Sequence, residues 1–400
     1  MSRRERANHR SGGPRVAVVG AGVVGVAVAR CLAAGGADVT VFDRDGIGAG
    51  TSSRTFAWVN SHHKEPLAYH ELNVAGMAAH HDLHAAGGGA AQWFFPTGNY
   101  EWAEDDAGRA RLAASSARLA DRGYGVVAST PAEARRLVPD LLVPTGVDEV
   151  VRYPDEGHVL PYALLARLWG EARDNGAVLR CPAEVVGVDP DTARVRLAGG
   201  ETWTGDRVVL AGGRWTGELT GLAGHPLATV DPNRADPAVC GFLGYTRPVP
   251  ARLAAVLTTP RVNVRPDGGG RLVLQTLDLD DRADPLYTVD SAGVVGREMV
   301  SRLRRVLAGT DGVELDRIAV GQRALPADGL TAAGFLTDRV YAVCTHSGIT
   351  LSVLLGELIA TEVLADRRSA LLAGFEPDRL LGTPTGSFPA LSPARNSGEQ

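Results

Sequence analysis

The segment Gly20-Ala21-Gly22-Val23-Val24-Gly25 carries the clearest chemistry in this 400-residue chain. It joins the end of the buried apolar run RVAVVG to the start of AGVVGVAVARCLAAGG, a pattern that predicts a strand, a glycine turn and a helix ending on glycines. In that geometry Gly20 permits the tight turn and Gly22 lets the backbone approach a pyrophosphate. Gly25 allows close packing of helix on strand. The helix start presents the N–H groups of Val23 and Val24, and the positive end of its dipole, to phosphates. Asp43 ends the next apolar run, ADVTVFD, about 20 residues on, where a carboxylate can accept bonds from ribose hydroxyls. Asp43 would repel a 2′-phosphate, which disfavours NADP even though Arg44 follows it. The fingerprint implies a dinucleotide, and by itself it does not separate NAD from FAD.

A second group of chemistry-bearing residues lies in WVNSHHKEPLAYHEL, from Trp58 to Leu72. Lys64 is the only lysine among 41 basic residues, and an exposed lysine is the plain alternative to a functional one. His62, His63, His70, His80, His81 and His84 match no HExxH or CxxC/H spacing. They predict a helical region with solvated histidines and no metal. Trp93, Phe94, Phe95, Tyr100 and Trp102 could wall a pocket or fill a core.

The elements that must position these residues follow from periodicity. Arg15–Asp45 reads as a strand–helix–strand opening. Residues 66–120 read as helical, broken at Gly87-Gly88-Gly89 and at the aromatic turn WFFPTGNYEW. Pro161–Asn175 has helical period, and the stretches after it alternate as short strands with glycine turns. SAGVVGREMVSRLRRVL reads as a helix, and VYAVCT followed by ITLSVLLGELIATEVLA reads as a strand, a turn and a long apolar helix. At about 150 residues per domain the length suggests two or three units. A net charge of −5 gives no reason to expect nucleic acid or an anionic membrane as partner. Cys31, Cys181, Cys240 and Cys344 are scattered, which fits free thiols in a reducing cytoplasm. No segment reads as a transmembrane span. Residues 1–13 and 381–400 are expected to be disordered tails.

Several further blocks stand in a telling order: Gly48-Ala-Gly-Thr-Ser-Ser-Arg54, EGHVLPYALLARL from Glu156, EVVGV from Glu184, VVLAGGRWT from Val208, GQRALPADGLTAAG from Gly321, THSGITLSVLLGELIA from Thr345 and FEPDR from Phe375. Together with the glycine fingerprint they resemble the D-amino acid oxidase/glycine oxidase family of flavoproteins, from Arg15 to about Leu380. The resemblance implies an α/β fold: a glutathione-reductase-type Rossmann FAD-binding domain interleaved with an α+β substrate domain built on an antiparallel sheet. It places the FAD domain at 14–65, 150–225 and 320–380, and the substrate domain at 66–149 and 226–319.

It also implies site residues. FAD would be held by Gly20, Gly22, Val23, Val24, Gly25, Asp43 and Arg44. Gly50, Thr51, Ser52 and Arg54 would lie beneath its ribityl and pyrophosphate, and Val185 would pair with the adenine. Ala211, Gly212, Trp215, Gly348, Ile349 and Thr350 complete the set. Some relatives attach FAD through a histidine near Arg54, so noncovalent FAD is expected here. Arg323 occupies the place of a carboxylate clamp, with a salt bridge supporting the flavin strand as its alternative. His346 stands where glycine oxidases carry an arginine, which opens the substrate to N-substituted amino acids. His63 and Lys64 would line the substrate side, Lys64 stabilising superoxide as reduced flavin meets O2. The implied reaction is oxidation of the C–N bond of a small amine or amino acid by hydride transfer to flavin N5. The imine then hydrolyses, and O2 takes the electrons to give H2O2. A dehydrogenase passing electrons to a quinone or carrier is the first rival, with a flavin monooxygenase behind it. A monomer or homodimer is expected.

Overall fold

The computed structural model describes residues 12–87 and 92–393. The chain divides into two compact units. Among the described residues the first comprises 12–53, 162–230 and 324–390, and the second 54–87, 92–161, 231–323 and 391–393.

The first unit is built on a six-stranded sheet. β1 (Arg15–Val19) lies centrally, with β2 (Asp38–Phe42) and then Val178–Arg180 on one side. Arg207–Leu210, Val340–Cys344 and Ala332–Thr337 follow on the other. Every pairing is parallel except the last, a hairpin. Val16, Val18, Val39 and Val41 are fully buried, because a parallel sheet covered on both faces needs apolar side chains at successive positions. The helix α1 (Val23–Ala34) packs against the C-terminal helix Gly348–Ala365. A Cβ on Gly356 would fall 2.8 Å from the Ala27 carbonyl oxygen, so glycine is what lets the two helices approach there. The C-terminal helix is long and apolar enough to cross a membrane. Burial of Leu351, Leu355 and Ile359 in this core accounts for that composition. A three-stranded antiparallel sheet, from Val185 to Thr204, completes the unit.

The second unit holds a short sheet in which Gly157–Val159 lies between β3 (Trp58–Val59) and β4 (Phe94–Phe95). The helix α2 (Leu67–Ala86) follows β3, and β5 (Asn99–Glu101) follows β4. β5 belongs to an eight-stranded sheet whose order is Leu315–Gln322, Cys240–Thr246, Leu272–Gln275, Asn263–Pro266, Val256–Thr258, β5, Val150–Tyr153 and Val127–Ser129. The core on this sheet includes Tyr100, Trp102, Phe242, Leu257 and Leu274, with Met299, Leu303 and Val306 from the helix Val294–Val306.

Four expectations differ from what is found. Residues 54–65 and 150–161 fall in the second unit because β3 pairs with Gly157–Val159 there, which the βαβ pattern of the N-terminus could not show. WFFPTGNYEW supplies β4 and β5 rather than a turn between helices. The eight-stranded sheet contains one parallel pair, Val256–Thr258 with β5. Residues 381–393 are ordered: Thr385 donates from Oγ1 to the Thr229 carbonyl at 3.1 Å, and Phe388 packs on the small core around Leu227. Residues 1–11, 88–91 and 394–400 lie outside the described residues, and with them the rest of the expected tails and most of the Gly87-Gly88-Gly89 run.

Candidate functional site

In the first unit the glycine turn is as tight as its spacing implies. Gly20 has φ +112°, and a Cβ there would fall 2.3 Å from the Ala211 carbonyl oxygen. A Cβ on Gly25 would fall 2.0 Å from the Gly20 carbonyl oxygen, so helix and strand close on each other at this point. Gly22 behaves differently. A Cβ there would meet only Ser52 Oγ, at 3.4 Å, so the backbone faces open space where the other two glycines face protein.

The loop 46–53 closes over the start of α1. Gly48 donates its N–H to the Ala21 carbonyl, and Ser52 Oγ accepts the N–H of Val23 at 3.0 Å. The remaining first-turn N–H groups have no intrahelical acceptor, as at any helix start. Gly348, first residue of the C-terminal helix, faces Val23 and Val24: its Cβ would lie 3.9 Å from a methyl of each. Two helix N-termini therefore meet beside Gly22, and both dipoles favour an anion there.

Asp43 accepts from Ala21 N–H through one oxygen, and from Asp45 and Gly46 N–H through the other. These bonds occupy three of about four acceptor positions of a carboxylate. The residue shapes the turn, and about one acceptor position stays unused by these bonds. Arg214, which sequence reasoning passed over inside VVLAGGRWT, is buried, stacks on Trp215 with its guanidinium carbon 3.6 Å from the ring centre, and donates to Thr51 Oγ1 at 3.0 Å. Arg44 lies over the same ring at 4.8 Å. The structure thus brings together Gly20, Gly22, Val23, Val24, Gly25, Asp43, Thr51, Ser52, Ala211, Gly212 and Gly348, while Gly50, Arg44 and Trp215 group around Arg214. Ile349 and Thr350 are buried in the same helix start. Val185 is buried on a strand paired with Leu197. Arg54 is exposed at the start of the second unit. Cys344 is buried, with its thiol pushed up to about 12 by burial, as a packing cysteine would be.

The cradle fits FAD: open space before Gly22, paired helix starts for a pyrophosphate and a carboxylate at the end of β2. Comparison with known proteins decides the family. The family described as FAD dependent oxidoreductase (DAO) matches residues 15–362.

The chain belongs to this family.

It is therefore an FAD-dependent oxidoreductase. A search of curated proteins found no match. Among solved structures, glycine oxidase from Geobacillus kaustophilus is 24% identical with a TM-score of 0.78, the match covering 92% of this chain and 100% of that one. Iminodiacetate oxidase from Chelativorans sp. is 20% identical with a TM-score of 0.76, covering 91% and 99%. L-proline dehydrogenase from P. horikoshii is 18% identical with a TM-score of 0.76, covering 92% and 97%. At these identities the likeness establishes the fold that the family shares.

The second unit gathers most of the remaining candidates into one buried polar cluster. Its hub is Glu156, fully buried, whose carboxylate accepts from Trp58 Nε1 at 3.0 Å, Tyr124 OH at 2.5 Å and His62 Nδ1 at 2.7 Å. His62 lies flat on Tyr153, with ring centres 4.1 Å apart. Burial alone would lower the His62 pKa, but the Glu156 and Glu101 carboxylates outweigh it and raise it to about 9. Burial opposes ionisation of Glu101, yet His63 and His62 hold its carboxyl far below the usual range. Lys64 is buried and lies near the Tyr69 ring; burial pushes its ammonium down to about 7, with Glu156 partly offsetting that. His158 stacks on Phe95 with neither ring nitrogen hydrogen-bonded among the described residues, and burial, with Arg265 nearby, pushes it down to about 3.

The expectation of solvated histidines thus fails for His62, His70 and His80, which are buried, as is Lys64. For His62 and Lys64 the reason is that the turn after β3 runs through the interior, where Glu101 and Glu156 offset the charge. No local spacing could reveal this, since those carboxylates stand about 40 and 90 residues away, one on β5 and one in the turn before Gly157–Val159. His70 and His80 instead lie on the buried face of α2, His70 against Ser61 and His80 against Trp93 and Phe94. Trp93, Phe94, Tyr100 and Trp102 are core residues, and Phe95 is the half-buried one.

Arg323 directly follows the strand Leu315–Gln322. Its NH1 donates to the carbonyls of Pro237 and Cys240, at 2.6 and 3.3 Å, and its NH2 reaches Asp280 at 3.5 Å. Arg323 thus forms an ion pair with Asp280. Three of its five N–H donors are used in this way. Asp280 is itself buried and accepts the Phe242 N–H; burial, only partly opposed by Arg323, pushes its carboxyl up to about 7. In the first unit, half-buried His346 lies between the strand Val340–Cys344 and the C-terminal helix.

Proposed function

We propose that this oxidoreductase removes two electrons from the C–N bond of a small amino acid or amine, an N-substituted amino acid included. The open face of Gly22 between two helix starts carries the reading, because it gives a dinucleotide a place that protein atoms leave free. FAD, when bound, supplies the oxidising power as a hydride acceptor. Three neighbours of the same fold are named for amino-acid substrates, and two of these, proline and iminodiacetate, are secondary amines.

The protein's own contribution is positioning and proton control. The two N–H groups left on Arg323 can hold a substrate carboxylate, while Asp280 and two carbonyls fix the guanidinium plane. His346 is the group we assign to orient the amine and take its proton. Lys64, a buried amine, is assigned to the reaction with O2, where its charged form would favour the developing superoxide charge. The imine product leaves for hydrolysis by water. Free cysteines throughout agree with work in the cytoplasm.

A dehydrogenase reading shares the first half-reaction and differs only in passing electrons to a quinone or carrier; the L-proline dehydrogenase neighbour keeps it in view. Steady-state turnover of an amino-acid panel, with peroxide and 2-oxo product both measured, tests the proposal. Equal yields of the two support the oxidase. A 2-oxo product formed only with an added electron carrier supports the dehydrogenase, and no product from any amine refutes both.

A further inference from the structure

Outside the cofactor cradle, one cluster is arranged more like a set of ligands than like a hydrogen-bond network. His62 Nε2 lies 3.4 Å from one oxygen of Glu101, and His63 Nε2 lies 3.4 Å from the other. All three groups offer donor atoms within 4.8 Å of one another. Both Nε2 atoms are buried and have no hydrogen-bond partner among the described residues.

The 3.4 Å spacing is informative. A charge-assisted N–H···O⁻ bond closes to about 2.7–2.9 Å. Two ligands on one tetrahedral zinc, with bonds of about 2.0–2.1 Å, stand about 3.3–3.4 Å apart. Both histidine–glutamate separations have the second value. The outer partner is also in place. His62 Nδ1 is 2.7 Å from the Glu156 carboxylate, so Nδ1 carries a proton and Nε2 is the ring nitrogen turned toward Glu101. A carboxylate behind a histidine is the usual way a ligating imidazole is fixed in tautomer and orientation. Glu156 is in turn held by Trp58 and Tyr124.

We propose that His62 Nε2, His63 Nε2 and the Glu101 carboxylate form a binding site for one divalent first-row metal ion, zinc by preference. Two imidazoles and a carboxylate that offers one oxygen toward each of them supply the four donor atoms that zinc takes. The ion would tie the turn after β3 to β5 inside the second unit and would neutralise charge that the interior otherwise carries. A proton on His62 Nε2 is the competing occupant, and the test separates the two.

Untagged, FAD-loaded protein is stripped with chelator and titrated with Zn²⁺ by calorimetry, then with Co²⁺ while absorbance is followed to the red of the flavin band. The expected result is one ion per chain, a tetrahedral Co²⁺ spectrum and a raised melting temperature. His63→Gln and Glu101→Gln should each weaken binding at least 100-fold while retaining the flavin spectrum. His84→Gln, on the outer part of α2, should leave it unchanged. Failure of the native protein to take up either ion, or equal uptake by both ligand variants, would overturn the site in favour of the protonated histidine.

Discussion

Asp280 offers a quantitative test of how the second unit holds Arg323. Its carboxyl is almost fully buried, accepts the Phe242 N–H at 2.9 Å and lies 3.5 Å from the Arg323 guanidinium. Burial raises it from its ordinary 3.8 to about 7. Between those values the native protein keeps a proton that the unfolded chain has released. Stability therefore falls as pH rises through this window and is fully present only below it. Seven less 3.8 is about 3 units, and at about 1.36 kcal/mol per unit the whole window is worth about 4 kcal/mol. Because half the carboxyls are still protonated at pH 7, about 2 kcal/mol of that falls between pH 5 and pH 7. Asp280→Asn keeps the acceptor for Phe242 and the shape of the side chain but cannot ionise. Urea unfolding of FAD-loaded native and variant protein at pH 5, 6, 7 and 8 gives two curves. Subtracting them removes the other titrating groups. We expect the variant to gain about 3 kcal/mol on the native protein as pH rises from 5 to 8. A constant separation across the range would mean that Asp280 titrates normally, and the reasoning about Arg323 would fail with it.

Other outcomes follow from the same geometry. Gly25→Ala places a methyl group 2.0 Å from the Gly20 carbonyl oxygen, so it should purify with little or no flavin absorbance and lose about 1–3 kcal/mol of stability. Arg323→Lys should raise KM for amino acids at least tenfold while leaving simple amines without a carboxylate unaffected, because a single ammonium cannot replace the planar fork. Lys64→Met should slow reoxidation of the reduced enzyme by O2 about 100-fold without slowing its anaerobic reduction; unchanged reoxidation would remove Lys64 from the oxygen step.

The first unit was legible because its signals are local. Glycine spacing, the strand before it and the acid after it lie within about 30 residues, and each has a steric or electrostatic reason visible in the folded chain. Gly20 and Gly25 are held by backbone contacts, and Gly22 by the lack of them. Arg214 was hidden beside Trp215 because an arginine reads as surface until its stacking partner is placed. The second unit was less legible because its cluster is assembled from strands far apart in sequence. His62 looks like a surface histidine until Glu101 and Glu156 arrive from β5 and from the turn before Gly157–Val159. The resemblance of ordered blocks, not composition, supplied the substrate class, and Arg323 shows why such inheritance needs geometry beside it: part of its guanidinium already serves the fold.

The central claim is that FAD bound in this chain takes electrons from an amine. Anaerobic mixing of the purified protein with glycine, proline, iminodiacetate and N-methyl amino acids, followed at the oxidised-flavin band near ~450 nm, tests it most directly. Bleaching by at least one of these compounds, with none by the matching 2-hydroxy acid, is the predicted result. A flavin that stays oxidised with every amine would contradict the account.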